Sequence, residues 1–202
     1  MLDESEVTLR TETRYPWDGD IAITVEGEGD FSLFLRIPGW AESGVSLTVN
    51  GETVGADLRT YGYAEVKRTW KSGDLVRLSL PMDVRRVECH PHVAENADNV
   101  ALMRGPLLYC LEGIDHPGVD LRDIVLPDDA AVTAVFDDSL LGGVVKLTAQ
   151  AEAVVDDGSW AFRLYRTKGP ASGTQAVELT AVPYYAWANR EAGRLQVWLR
   201  TR

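Results

Sequence analysis

Along most of the chain apolar residues recur at every second position, and this regularity restricts the fold more than any single motif does. Ile21, Ile23 and Val25 alternate with Ala22, Thr24 and Glu26, and after Gly27-Glu28-Gly29-Asp30 the alternation resumes at Phe31, Leu33, Leu35 and Ile37. A period of two sends successive side chains to opposite faces of a strand, so this stretch reads as a β-hairpin with one apolar face. Val45, Leu47 and Val49 alternate likewise and end in Asn50-Gly51, a dipeptide that tolerates the positive φ angles of a tight type I′ turn. Tyr63 to Val66, then Val76, Leu78, Leu80 and Met82 on the far side of Lys71-Ser72-Gly73-Asp74, carry the pattern on to Val84 and Val87. Turns therefore arrive about every ten residues, the spacing of a sandwich.

A second series begins after the polar stretch His92 to Asn99. Val100 to Met103, Leu107 to Leu111, Ile124 to Leu126, Val132 to Phe136, Val144 to Ala149, Trp160 to Tyr165, Val177 to Val182 and Leu195 to Leu199 all read as strands, giving about fifteen in total. No window keeps a three-to-four-residue apolar spacing over three turns without a Gly, Pro or β-branched interruption. The expectation is an all-β chain of two consecutive antiparallel β-sandwich domains, residues 1–96 and 97–202, with the last strand able to return to the first domain. Leu107-Leu108-Tyr109-Cys110-Leu111 is apolar on both faces, which predicts a strand covered on both sides.

Charge narrows the partners. Lys and Arg number 20 against 31 Asp plus Glu, a net charge of -11. Nucleic-acid affinity comes largely from cations placed near phosphates, and anionic membrane surfaces attract basic segments, so neither partner is expected. No apolar run reaches the roughly 20 residues of a membrane-spanning helix. The start, Met1-Leu2-Asp3-Glu4-Ser5-Glu6, lacks the basic and then apolar character of a secretory signal, and a cytoplasmic location is the expectation. Two cysteines, Cys89 and Cys110, are too few for a disulfide scaffold.

Candidate chemistry is sparse. Cys89-His90-Pro91-His92 holds metal-ligand residue types, but structural zinc sites use two spaced pairs, and the other Cys and His are Cys110 in a β run and His116 in a polar loop. The expected reading is a strand end with a buried Cys89 and two solvated imidazoles, and no metal or other cofactor. No Gly-x-Ser-x-Gly elbow or phosphate-binding Gly-rich loop occurs. Two carboxylates would suffice for glycoside hydrolysis if one were held protonated. However, Asp18, Asp20, Asp128, Asp129, Asp137, Asp138, Asp156 and Asp157 all sit near Gly, Pro or Ser, where Asp serves turns. No catalytic residue is assigned.

Aromatic residues are more informative, with six Trp and seven Tyr against four Phe. Such polar-edged rings suit sugar stacking, protein interfaces and sandwich cores alike. Trp70, Trp160 and Trp198 lie within strand patterns and are expected in cores. Trp40, after Pro38-Gly39, and Tyr184, Tyr185 and Trp187 lie at strand ends and are the partner- or sugar-binding candidates.

Several ordered motifs carry a resemblance. Leu35-Arg36-Ile37-Pro38-Gly39-Trp40-Ala41, Val49-Asn50-Gly51, and Gly62-Tyr63 with Trp70 and Gly73-Asp74 are followed by Val100 to Glu112 and by Ala181-Val182-Pro183-Tyr184-Tyr185-Ala186-Trp187-Ala188-Asn189-Arg190. Over nearly its whole length the chain resembles the C-terminal region of bacterial β-L-arabinofuranosidases, glycoside hydrolase family 127. The resemblance implies an α/α barrel carrying the active site, followed by two β-sandwich domains, of which this chain matches only the latter. It also implies a cysteine nucleophile beside a zinc site of cysteines and a glutamate, with a second glutamate as acid/base, all in the barrel. Cys89 and Cys110 do not sit in that catalytic motif. The implied role is a non-catalytic β-sandwich region that is no enzyme on its own and supports or docks on the barrel through an apolar, aromatic patch around Tyr184, Tyr185 and Trp187. Homodimerisation through an exposed docking face is a further expectation. The alternatives are a carbohydrate-binding module stacking sugars on Trp40 or on Tyr184, Tyr185 and Trp187, and a self-sufficient enzyme, which would need convergent carboxylates in a cleft.

Overall fold

The computed structural model of the protein describes residues 6–41, 43–54, 58–60, 62–155, 158, 160, 163–167, 169 and 172–202. The alternating segments form strands β1 (Thr8–Thr13), β2 (Asp20–Glu26), β3 (Gly29–Arg36), β4 (Ser46–Val49), β5 (Glu52–Thr53), β6 (Leu58–Thr60), β7 (Tyr63–Trp70) and β8 (Leu75–Ser79). The second series forms β9 (Val84–Glu88), β10 (Asn99–Arg104), β11 (Leu107–Glu112), β12 (Ile124–Leu126), β13 (Thr133–Asp137), β14 (Val144–Val154), β15 (Thr174–Pro183), β16 (Leu195–Gln196) and β17 (Leu199–Thr201). Between them the described residues hold short 3-10 turns and no α-helix. The all-β expectation holds, and among the described residues every strand pair is antiparallel except β12 with β17.

The chain divides into two units, Met1–Asp83 and Val84–Arg202. The division falls earlier than the 96/97 boundary expected from sequence. The physical reason is that Val84–Glu88 pairs along its whole length with β10, Val100 opposite Glu88 through Arg104 opposite Val84. The polar stretch that held the expected boundary is instead the loop of that hairpin.

In the first unit two sheets enclose one core. One runs β1-β2-β8-β4-β5 and the other β3-β7-β6. Inward positions Val25, Leu47, Val49, Val76 and Leu78 of the first meet Leu35, Ala64, Val66 and Trp70 of the second. Trp70 is fully buried, stacks on Phe31 at 5.7 Å and donates its ring N–H to the Phe31 carbonyl at 3.0 Å, so its one polar atom is satisfied. The turn at Asn50-Gly51 is as expected: both residues have positive φ, 53° and 86°, and Val49 pairs with Glu52. The expected β2-β3 hairpin is a correction. β2 pairs with β1 and β8 while β3 pairs with β7, so Gly27-Glu28 carries the chain from one sheet to the other. Alternation is the same for a hairpin and for a sheet-to-sheet crossing, because each only needs one apolar face.

The second unit surrounds its core with one sheet. Its hydrogen-bonded order is β16-β11-β15-β14-β12-β17-β10-β9, with β13 added on β14, and β10 also pairs with β11. Because β10 meets β17 at Asn99 and Val100 and β11 at Met103 and Arg104, the circuit β10-β11-β15-β14-β12-β17 closes on itself. Leu102, Tyr109, Leu111, Ile124, Leu126, Leu147, Leu179 and Leu199 fill it. The terminal run expected as Leu195 to Leu199 is two short strands. β16 pairs with β11 and β17 with β10 and β12, so both stay in the second unit rather than returning to the first. β11 is covered on both faces as expected, with Tyr109, Cys110, Leu111 and Glu112 all buried. The strand expected at Trp160 to Tyr165 is absent among the described residues there; 161 and 162 lie outside them. Trp160 is an exposed turn residue under the Arg166 guanidinium at 4.2 Å, not a core residue, and Trp198 is half-buried.

Candidate functional site

The four aromatic candidates have different surroundings. Trp40 lies within the turn closed by Ala41 N–H to the Pro38 carbonyl at 2.9 Å; it is half-buried and packs against the first unit's core. Tyr184, Tyr185 and Trp187 belong to the second unit and are 43%, 51% and 37% exposed. For rings of this size such exposure leaves a wide apolar surface in water.

Local geometry explains why these rings stand out. β15 ends at Pro183, and a 3-10 turn over Tyr184–Ala186 follows, closed by Trp187 N–H to the Tyr184 carbonyl at 3.2 Å. Ala186 is the buried foot of that turn. The Tyr184 and Trp187 rings lie 6.1 Å apart, tilted by 31°. Ala188 then takes a positive φ of 59°, an uncommon conformation for a residue with a Cβ.

Ala188 keeps that conformation because a buried charge cluster ties it down. Its N–H donates to Glu112 Oε1 at 3.0 Å, while Arg190 donates to Glu112 Oε2 and to both oxygens of Asp115 at 2.7 and 2.6 Å. Glu112 closes β11 and Asp115 lies in the 3-10 turn Gly113–Asp115, so two segments far apart in sequence are pinned together. The two carboxylates hold the Arg190 guanidinium in its charged form, its pKa raised well above the ordinary value by the hydrogen bonds to Asp115 and Glu112. Asn189 braces the same bend, donating to the Ala186 and Trp187 carbonyls.

Two further groups lie beside this cluster. His116, expected in a polar loop, is buried: its Nδ1 is 2.9 Å from the Glu112 carbonyl, and its Nε2 accepts from Thr180 N–H at 3.2 Å. The ring thus bridges the end of β11 to β15. The Cys110 thiol is pushed up to about 12, mainly by burial and then by the charges of Glu112 and Asp115. It is a thiol at neutral pH, and a thiol is a poor nucleophile and metal ligand.

The remaining sequence candidates are dispersed. Cys89 is half-buried and not fully buried as expected, with its Sγ near the Val93 and Asn96 carbonyls, and His90 and His92 are exposed and edge to face at 4.9 Å. Among the described residues no three His, Cys, Asp or Glu side chains converge to hold a metal. Asp137 serves its turn, accepting from Ser139 and Lys146, which lower its pKa to about 2. Asp156 and Asp157 lie outside the described residues. Sequence reasoning gave no role to Glu112, Asp115 and His116. The available signal was a charged residue closing an otherwise apolar strand, which needs a buried partner.

Comparison with known proteins supplies the setting. Residues 84–200 match the glycoside hydrolase family 127 C-terminal domain, and residues 1–82 match the β-L-arabinofuranosidase, GH127 middle domain. The chain is 37% identical, over 210 residues and 97% of its length, to a non-reducing end β-L-arabinofuranosidase of Bifidobacterium longum subsp. longum, and covers 30% of that protein. Its fold matches the crystal structure of a GH127 β-L-arabinofuranosidase from Geobacillus stearothermophilus T6 with a TM-score of 0.90 and 45% identity, over 99% of this chain and 31% of that one. A GH127 β-arabinofuranosidase structure aligns with a TM-score of 0.87 at 33% identity, over 99% of this chain and 32% of the other.

Proposed function

The chain belongs to glycoside hydrolase family 127, and from that premise we propose that it is a non-catalytic β region serving a β-L-arabinofuranosidase-like glycoside hydrolase, docked on a separate catalytic barrel. The observation that carries this reading is coverage. The chain fills two named domains of the family, yet spans about 30% of the length of the Bifidobacterium relative. The second unit's chemistry supports it. All four carboxylate oxygens of Glu112 and Asp115 are engaged by Arg190 and the Ala188 N–H, and Cys110 is held as a thiol. These groups fix a bend and leave neither a general acid nor a nucleophile free. The bend presents Tyr184, Tyr185 and Trp187, rings of the kind enriched in interface cores. Contacts between domains of one chain bury about 600–1,500 Å², and these rings are the anchor for such a contact.

The test is hydrolysis of an aryl β-L-arabinofuranoside by the 202-residue chain alone and by a longer polypeptide that also carries the barrel. Turnover by the longer protein alone is expected. Turnover by the short chain would overturn the reading. A second reading, sugar stacking, draws on the modest 31° tilt between Tyr184 and Trp187. Saccharide titration of the chain followed through tryptophan emission, lost in Trp187→Ala, separates it from docking. Self-association through the same face would appear in sedimentation velocity as a dimer that Tyr185→Arg dissolves.

A further inference from the structure

The outward face of the β1-β2-β8-β4 sheet in the first unit holds an open trough of about 480 Å³ lined by Glu12, Asp20, Ala22, Arg77, Ser46 and Thr48, among others. Strand register explains its shape. Glu12 lies opposite Ala22, Ala22 opposite Arg77, and Arg77 opposite Thr48, so one row of outward side chains crosses four strands. The neighbouring row holds Asp20, Ser79 and Ser46. Ala22, with only a methyl group, makes the floor, and long charged side chains stand on either side of it. Glu12 and Arg77 spring from strands two spacings apart, about 9.5 Å at the backbone, a gap that accommodates one sugar ring.

The charges across the gap are not consumed by each other. Glu12 makes a loose pair with Arg10 at 3.6 Å. Among the described residues the Arg77 side chain enters no hydrogen bond, ion pair or ring contact. Asp20 Oδ1 accepts from Ser79 at 2.8 Å. The trough therefore offers five guanidinium N–H donors on the β8 side, the Glu12 carboxylate on the β1 side, the Asp20 carboxylate at one end of the β2 floor beside Ser79, and hydroxyls at Ser46 and Thr48 that serve as either donor or acceptor. A sugar hydroxyl is donor and acceptor at once, and vicinal hydroxyls can accept from Arg77 and donate to Glu12 or Asp20 together. An anionic sugar would gain Arg77 but face two carboxylates.

We propose that this trough is a binding site for a single neutral sugar residue, its ring over Ala22 and its vicinal hydroxyls hydrogen-bonded to Arg77 on one side, to Glu12 on the other, and to Asp20 at the end of the floor strand. The site uses no aromatic platform and lies entirely in the first unit, so it is independent of the docking reading given to Tyr184, Tyr185 and Trp187.

The experiment is a two-dimensional amide NMR titration of the 202-residue chain with methyl β-L-arabinofuranoside and, separately, with galacturonate. The expected result is a saturable shift of the Ala22, Thr48 and Arg77 amides by the neutral glycoside, with weak or no response to the uronate. Arg77→Ala, which removes charge-assisted hydrogen bonds, is expected to weaken binding roughly tenfold or more. Ala22→Leu, which raises the floor with no change of charge, is expected to abolish it, and thermal melts of both variants check that the sheet still folds. No shift with either sugar, uronate binding in preference to the neutral glycoside, shifts confined to the second unit, or binding unchanged in folded Arg77→Ala would each overturn the proposal.

Discussion

The two units solve the same packing problem in different ways. The first stacks two separate sheets and seals them with Trp70, whereas the second runs its strands as one sheet that closes on itself around Leu111, Leu147 and Leu179. Each also buries one charged knot. In the first unit Asp74, 8% exposed, accepts from Asn50 Nδ2 at 2.8 Å and Lys71 N–H at 2.9 Å, and Asn50 Oδ1 accepts from Leu75 N–H at 2.9 Å. That knot ties the Asn50-Gly51 hairpin to the turn after β7 with neutral donors, and Arg68 contributes only from 3.8 Å. In the second unit the knot is ionic, one guanidinium between two carboxylates. The lesson is that a buried carboxylate can be satisfied by amides where the backbone turns tightly around it, but needs a cation where it must join distant segments.

Substitutions at these positions test that contrast. Trp70→Ala removes the largest side chain of the first core and leaves the Phe31 carbonyl without its donor. A loss of about 3–5 kcal/mol is expected, measured by urea unfolding and by collapse of exchange protection at Val76 and Leu78. Next, Arg190→Ala strands Glu112, only 4% exposed, without its cation. About 3 kcal/mol is expected, and Arg190→Lys should recover only part of it, because an ammonium cannot match the bidentate contact with Asp115. If Arg190→Ala costs less than Asn50→Ala, the ionic knot is not what secures the second unit.

The Asp74 knot is expected to contribute less, about 1–2 kcal/mol for loss of the Asn50 contact. Its distinguishing mark is pH. The Asn50 and Lys71 hydrogen bonds lower the Asp74 pKa, so its contribution is complete above the ordinary carboxylate range. It disappears as the pH falls through the lowered folded value. Asp74→Asn should therefore flatten the acid limb of a stability-against-pH curve, and an unchanged limb would place the acid sensitivity elsewhere. The smallest stability effect, within about 0.5 kcal/mol, is expected for Trp187→Ser, an exposed ring. If that substitution destabilises the isolated chain as much as Arg190→Ala does, Trp187 is a core residue and not part of a docking face.

Legibility in the sequence followed the range of the interactions. Strand positions and the Asn50-Gly51 turn were readable, because alternation and positive φ are properties of neighbouring residues. The motif ending in Trp187 and Arg190 marked the candidate face, but the groups that hold it did not announce themselves. Arg190 meets Glu112 across 78 positions, and although a charge closing an apolar strand signals a buried partner, nothing local says which residue that partner is. Trp160 misled for the converse reason: an aromatic in an apolar run looks like core until a strand partner fails to arrive.

Local patterning sets the all-β character of the chain and where most strands begin and end, and composition sets a charge that disfavours polyanionic partners. The folded structure was needed to show that β2 crosses to the other sheet instead of turning back on β3. It alone showed that β9 belongs with β10 across the polar stretch, and that β10 and β11 close the second sheet on itself. The reason is physical: a period of two specifies which side of a strand is apolar, whereas the choice of neighbouring strand is made by hydrogen bonds at an edge that every strand presents in the same form.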